Sequence, residues 1–293
     1  MNLAPSEYVA ICRSHAMREL LRVAERVAPS DVPIFLTGES GTGKEAVAHL
    51  IHNRSGRESL LRIDCAALDP RELEEAYGEA RGATLLFRDI CEMPGETQQA
   101  LHCLLDEAEH AGAGENGSHP RIIAVTDAHL DEPPGSARLG GNLYYQLATV
   151  PLHLPPLRHR REDIMPLANR FLSHLALEAG RPVIGFTQAA SDRLTGFDWP
   201  GNETQLQNVV QRGVLFCQTA IIDVPDLSIE LPTRKPRGTE TADLAFTLMQ
   251  KLERTLITTM LRETAGNKVQ TAKRLGIGRQ TLYHKIHAYG IEA

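Results

Sequence analysis

The chain has 293 residues, 42% of them hydrophobic and 23% charged, and a formal charge of −6. This composition excludes a mostly disordered or fibrous chain, and no apolar run approaches the roughly 20 residues of a membrane helix. The charge is uneven: Gln250–Ala293 carries eight Lys/Arg against three Asp/Glu, a balance of +5, which leaves −11 for the rest.

A basic tail on an acidic body points to a polyanion that only the tail meets. The length allows one large domain or two to three small ones. The N-terminus, MNLAPSEYVAICRSHAMREL, has no basic start followed by an apolar stretch, so no secretion signal is expected. Cys12, Cys65, Cys91, Cys103 and Cys217 make no CxxC pair. They read as reduced thiols of a cytoplasmic protein, not as disulfides or zinc ligands. His102, His110, His153 and His159 have no ligand spacing with cysteines or carboxylates, so no metal is assigned to them.

Residues 1–30 read as one helix, with Met17, Leu20, Leu21, Ala24 and Val27 at helical spacing, broken at Pro29–Pro33. VPIFLTG follows, an apolar run typical of a buried parallel strand. KEAVAHLIHNRSG reads as a helix, then LLRIDCAAL and ATLLFRDI as strands. TQQALHCLLDEAEHA is an amphipathic helix, RIIAVTD a strand, and ATVPLHLPPL a fifth strand that ends at its prolines. The alternation predicts an α/β domain with a parallel sheet over 1–158. Residues 159–231 read as a small all-helical subdomain. A linker spans 232–243, within a polar stretch that starts at Ser228, and a further helical domain covers 244–293.

Gly38, Glu39, Ser40, Gly41, Thr42, Gly43 and Lys44 lie between a predicted strand and a predicted helix, the setting of a phosphate-binding loop. Its glycines let successive N–H groups converge on one phosphate, and the helix N-terminus adds a favourable dipole. Lys44 would reach the β and γ phosphates. The competing reading is a glycine-rich turn without a ligand. The next residue is Glu45, where a general P-loop has a hydroxyl that helps to hold Mg²⁺.

In the tail, Asn267 can cap one short helix, Gly276 permits a tight turn, and Ile277 plugs the corner before a second helix. Leu282 and Ile286 face inward there. Arg279, Gln280, Thr281, Tyr283, His284 and Lys285 remain on the outer face, suited to base edges and phosphates of double-stranded DNA. The competing reading is a plain helical hairpin with solvated charges. One short recognition helix reads only a half-site, so a homodimer or higher homo-oligomer is expected.

Several stretches together resemble the sigma-54-dependent, NtrC-like bacterial enhancer-binding proteins. They are RSHAMRELLRVAERVAPSDVPIFLTGESGTGKE, IDCAAL, GATLLFRDICEMP, RIIAVTDAHL, LYYQLATVPLHLPPLRHRREDI, FDWPGNETQLQN and the C-terminal Fis-type helix-turn-helix. The resemblance runs from about Ala10 through nearly the whole chain. It implies an AAA+ P-loop domain with a parallel sheet and a helical lid, followed by an all-α Fis-type helix-turn-helix. The implied ligand is ATP or ADP. Some relatives sense a cyclic dinucleotide at this domain, which adds that class. Implied partners are DNA and RNA polymerase or another regulator.

Measured against the family pattern, the chain departs at the catalytic positions. The family's GAFTGA loop, which contacts sigma-54, has no counterpart: only Asp69–Arg81 separates CAAL from GATLLF. The acidic strand ends in Arg88-Asp89 in place of Asp-Glu, and a cation cannot ligate Mg²⁺. Gly140 and Gln146 stand where the family has two trans-acting arginines. Thr204 replaces the sensor arginine of WPGNVREL, Asp64 a switch asparagine, and Asp127 the asparagine after the sensor Thr126. Loss of these groups together implies a regulator that binds nucleotide without hydrolysing it and does not remodel the sigma-54 holoenzyme; the competing readings are an active ATP-hydrolysing sigma-54-dependent activator and a non-catalytic partner subunit of an intact activator. Two roles are open for Arg88: an ion pair with Asp64, or direct contact with nucleotide phosphates in place of Mg²⁺. No receiver module is read before the P-loop domain, so control is expected from a ligand, a partner or expression level. Trp199 reads as a packed lid residue ahead of a base stacker, and Arg158–Arg161 as a solvated hinge between sheet and lid ahead of a phosphate contact.

Overall fold

In the computed structural model the described residues are 5–111, 119–127, 139–227, 229, 261, 264, 268–275 and 282. The chain divides into two compact units, Met1–Ile229 and Glu230–Ala293. The first is built on a five-stranded, all-parallel sheet: β1 (Ile34–Thr37), β2 (Leu60–Asp64), β3 (Thr84–Arg88), β4 (Arg121–Thr126) and β5 (Val150–His153), in the order β2-β3-β4-β1-β5. The central strands β1, β3 and β4 are apolar because both their faces are covered. Ile34, Leu36, Leu86, Ile123 and Val125 enter one core, while Phe35, Leu85, Phe87, Ile122 and Ala124 enter the other.

Between the strands run α3 (Lys44–Arg54), α4 (Pro70–Glu79), α5 (Gly95–Ala111) and α6 (Gly141–Leu147). Helix α4 begins sharply because Asp69 accepts from the N–H groups of Arg71 and Glu72 while Glu72 returns a bond to the Asp69 N–H. A single ten-residue helix therefore carries the chain from β2 to β3.

The N-terminal stretch corrects the expectation of one helix. It forms α1 (Pro5–Ile11) and α2 (His15–Val27), separated at Cys12–Ser14. The cause is distant in sequence. Buried Asp163 accepts from the backbone N–H groups of Arg13 and Ser14 at 2.5 and 2.8 Å and from the Ser14 hydroxyl at 2.6 Å, which holds Ser14 extended.

A helical layer follows: α7 (Ile164–Glu178), α8 (Gln188–Gly196), α9 (Asn202–Phe216) and α10 (Val224–Leu227). Between them a small parallel ribbon joins β6 (Gly185–Phe186) to β7 (Ile221–Ile222). Trp199 is fully buried; its indole N–H donates to the Leu194 carbonyl at 2.8 Å and its ring meets Phe197 edge-on at 5.1 Å. In the second unit, a helix at Lys268–Leu275 is described, with Leu282 buried and the Thr264 and Thr271 hydroxyls 2.6 Å apart. Among the described residues no helix is long and apolar enough to cross a membrane.

Candidate functional site

The loop from β1 to α3 depends on glycine at two positions. Gly41 and Gly43 have φ of 75° and 94°, a region that disfavours side chains. A Cβ on Gly41 would lie 2.6 Å from the Gly201 carbonyl, and one on Gly43 would lie 2.3 Å from the Tyr8 hydroxyl. The loop is thus pressed against both α1 and the helical layer. It lines one wall of a cleft of about 430 Å³, with Ser40, Gly41, Thr42, Gly43, Lys44 and Glu45 along it.

Lys44 opens α3, yet its side chain folds back. Its Nζ donates to the carbonyls of Gly38 and Glu39 at 2.8 and 2.7 Å and lies 2.5 Å from an Asp127 carboxylate oxygen at the end of β4. Arg88 ends β3 and also lines the cleft. Its Nε sits 2.8 Å from the Glu45 carboxylate. The expected Arg88–Asp64 pair is therefore not the one formed, although β2 and β3 place the two residues in register. Asp64 instead accepts from the Ala66 N–H at 3.3 Å. Arginine is long enough to pass its strand neighbour and reach the first turn of α3.

Asp89 follows Arg88 with φ 52° and lines the same cleft. Burial, reinforced by the charges of Asp127 and Asp64, pushes its carboxyl above the usual range, against the pull of Arg88 and Lys44. A raised native value makes ionisation a cost to the fold: the stability is present below the unfolded value and is lost as pH rises through the native one. Asp89→Asn, which tolerates the same backbone conformation, is expected to raise Tm at pH 7. The gain should vanish below about pH 3.9, the ordinary aspartate value. Thermal unfolding at both pH values checks this.

The helical layer is fastened to the loop by groups that the sequence reading missed. Glu203 donates its backbone N–H to the Gly41 carbonyl at 2.8 Å. Its buried side chain accepts from the Tyr8 hydroxyl at 2.6 Å and pairs with Arg160 Nη2 at 2.8 Å. Arg160 Nη2 also donates to the Thr42 carbonyl at 2.6 Å. Burial pushes the Glu203 carboxyl up while Arg160 and Tyr8 pull it down. Burial first, then the adjacent Glu203 charge, pushes the Tyr8 phenol well above its ordinary value. Asn202, at φ 49°, accepts from the Leu157 N–H at 2.8 Å and donates to the Ser40 carbonyl at 2.9 Å and to Glu39 at 3.2 Å. Arg158 makes a two-pronged pair with Glu39 at 2.5 and 2.8 Å. The Arg158–Arg161 run is thus not a solvated hinge: Arg158 and Arg160 are committed to the loop, and Arg160 is 1% exposed.

At the positions where the family pattern has two arginines, Gln146 bonds within its own chain. Its amide oxygen accepts from His102 Nδ1 at 2.7 Å and its amide nitrogen donates to Asp106 at 2.5 Å. The Gly140 N–H donates to Gln98 at 2.9 Å. Thr204 abuts Gly41 at the cleft. The structure brings Gly41, Thr42, Gly43, Lys44, Glu45, Ser40 and Arg88 together around one cleft, with Gly38 and Glu39 tied to Lys44 through their carbonyls. Arg279, Gln280, Thr281, Tyr283, His284 and Lys285 lie outside the described residues.

Residues 11–157 match the family described as Sigma-54 interaction domain, residues 158–244 the AAA+ ATPase lid domain, and residues 249–289 the bacterial regulatory protein, Fis family. The chain belongs to the sigma-54-dependent, NtrC-like regulators. Within this DNA-binding regulator family it combines the AAA+ P-loop fold, a helical lid and the Fis-type module. It is 36% identical over 297 residues to the transcriptional regulatory protein ZraR of Klebsiella oxytoca, covering 93% of this chain and 67% of that protein. It is 34% identical to the formate hydrogenlyase transcriptional activator FhlA of Escherichia coli, covering 100% of this chain and 46% of that protein, less than half of that relative's length. Among solved structures it is similar to NtrX from Brucella abortus in complex with ATP. The TM-score is 0.65 at 28% identity, over 95% of this chain and 69% of that one.

Proposed function

We propose that this chain is a sequence-specific DNA-binding regulator whose AAA+ body binds a nucleotide without hydrolysing it and does not remodel the sigma-54 holoenzyme. The nucleotide fits the cleft on the chain's own geometry. The glycine loop leaves the N-terminus of α3 open to phosphates, and Lys44 stands beside it as a cation. Gly38, Glu39, Ser40, Gly41, Thr42, Gly43, Lys44 and Glu45 would hold the phosphates, with Arg88 at the strand end. NtrX, one of the similar solved structures, was obtained with ATP.

Mg²⁺ does not fit these residues. Arg88 puts a guanidinium at the end of β3, and Glu45 is held in an ion pair with it at 2.8 Å. That pair is the observation that carries the reading. It is reinforced by Gln146, whose amide is satisfied within its own chain and carries no charge to offer a neighbour. The short Asp69–Arg81 connection, occupied by α4, supports the absence of a sigma-54 contact loop. The tail would dock Arg279, Gln280, Thr281, Tyr283, His284 and Lys285 on DNA, as a homodimer or larger assembly acting by recruitment or occlusion. The domain division proposed with this reading is 1–158 for the α/β body, 159–231 for the lid, 232–243 for the linker and 244–293 for the DNA module.

The second reading, an active ATP-hydrolysing activator, is favoured by the likeness to FhlA, which is named a transcriptional activator. Turnover decides between them. A calorimetric titration with ATP and ADP, in Mg²⁺ and then in EDTA, is expected to show binding in EDTA. A phosphate-release assay is expected to give a rate about 10³-fold or more below that of an intact family member, the scale of losing an arginine finger alone. Turnover that Lys44→Ala abolishes would establish the second reading instead. Failure to bind any DNA would remove both.

A further inference from the structure

Among the described residues, Lys44, Arg88, Arg158 and Arg160 around the loop each already hold a carboxylate of the same chain. Lys44 is paired with Asp127 at 2.5 Å, Arg88 with Glu45 at 2.8 Å, Arg158 with Glu39 at 2.5 Å and Arg160 with Glu203 at 2.8 Å. The charged residues lining the cleft are Lys44 and Arg88 on one side of the ledger and Glu45, Asp89, Asp127 and Glu203 on the other. A phosphate entering this cleft does not meet a bare positive surface. It must displace Asp127 from Lys44 and compete with Glu45 for Arg88.

The cost is unequal along a polyphosphate. A bound polyphosphate would place its first phosphates on the loop N–H groups and the N-terminus of α3, where the helix dipole favours negative charge. A third phosphate would then extend toward the strand ends, where Asp89 follows β3 and Asp127 follows β4. A divalent ion would normally screen that end, and Arg88 supplies only one positive charge in its place. We infer that the cleft selects a nucleotide of low phosphate charge, a monophosphate or diphosphate, over a triphosphate. This rests on the reading that the cleft is a nucleotide site. The selecting groups are Asp127 and Asp89, and both act by repulsion.

The test is calorimetric titration of the full chain with AMP, ADP and ATP in EDTA. ADP is expected to bind at least about tenfold more tightly than ATP, a difference of about 1.4 kcal/mol. Asp127→Asn is expected to narrow that gap to threefold or less by gaining ATP affinity. Asp89→Asn serves as a second variant and is expected to move the ratio in the same direction. ATP binding as tightly as ADP in the unaltered chain overturns the inference and leaves the nucleotide reading standing. A gap that survives both substitutions also overturns it. No binding of any of the three nucleotides overturns the nucleotide reading and this inference together.

Discussion

Replacing Arg160 by methionine is expected to destabilise the first unit by about 3–5 kcal/mol, the scale of breaking a buried ion pair from one side. The substitution leaves the buried Glu203 carboxylate with only the Tyr8 hydroxyl as donor, and it removes a donor from the Thr42 carbonyl. For a unit of this size each kcal/mol shifts Tm by about 2–4 °C, so a fall of roughly 6–20 °C is expected in thermal unfolding. A second substitution separates charge from packing. Glu203→Val restores the residue that the family motif carries, and in the Arg160→Met background it should recover most of the loss. Buried pairs can be replaced by apolar groups of similar volume at little net cost. An unchanged Tm for Arg160→Met would mean that the pair does not hold the lid to the loop.

Gly43→Ala is the second large effect. The new Cβ would stand 2.3 Å from the Tyr8 hydroxyl and 2.8 Å from a Glu203 oxygen, both on buried side chains that are bonded to each other. The φ of 94° adds backbone strain of about 1–3 kcal/mol. Overpacking adds about as much again. The loop can relieve this only by moving away from α1 and α9, which disperses the N–H groups that would receive phosphate. The expected result is loss of nucleotide binding together with a lowered Tm. Retained ADP affinity in a folded Gly43→Ala chain would argue that the ligand sits elsewhere.

The sheet was legible because its signals are local. VPIFLTG, ATLLFRDI and RIIAVTD are unbroken apolar runs, and burial on both faces is what produces such runs. The phosphate loop was legible for the same reason, since its glycines answer to a turn formed within seven residues. The latch on the lid was not. Tyr8 and Glu203 are 195 positions apart, and Arg160 and Thr42 are 118 apart. In one dimension Glu203 is an ordinary acidic residue in the first turn of a helix, and Arg160 is one of a run of basic residues. A charge where the family motif has valine was the available signal, and it gains meaning only beside Arg160. The break between α1 and α2 was hidden likewise, because its cause, Asp163, is 150 residues away. Of the two roles open for Arg88, the pair with Asp64 is not formed, because strand register gives adjacency between backbones but does not say where a long side chain ends.

The fastening of Asn202 and Glu203 to Ser40 and Gly41 has a thermodynamic consequence. In an enzyme whose lid closes on its substrate, closure removes apolar surface from water, and the heat capacity falls on binding. Here the lid already rests on the loop through bonds that the chain makes with itself. A ligand entering such a cleft exchanges one set of charged partners for another and dehydrates little protein surface. Its binding enthalpy should therefore stay nearly constant with temperature.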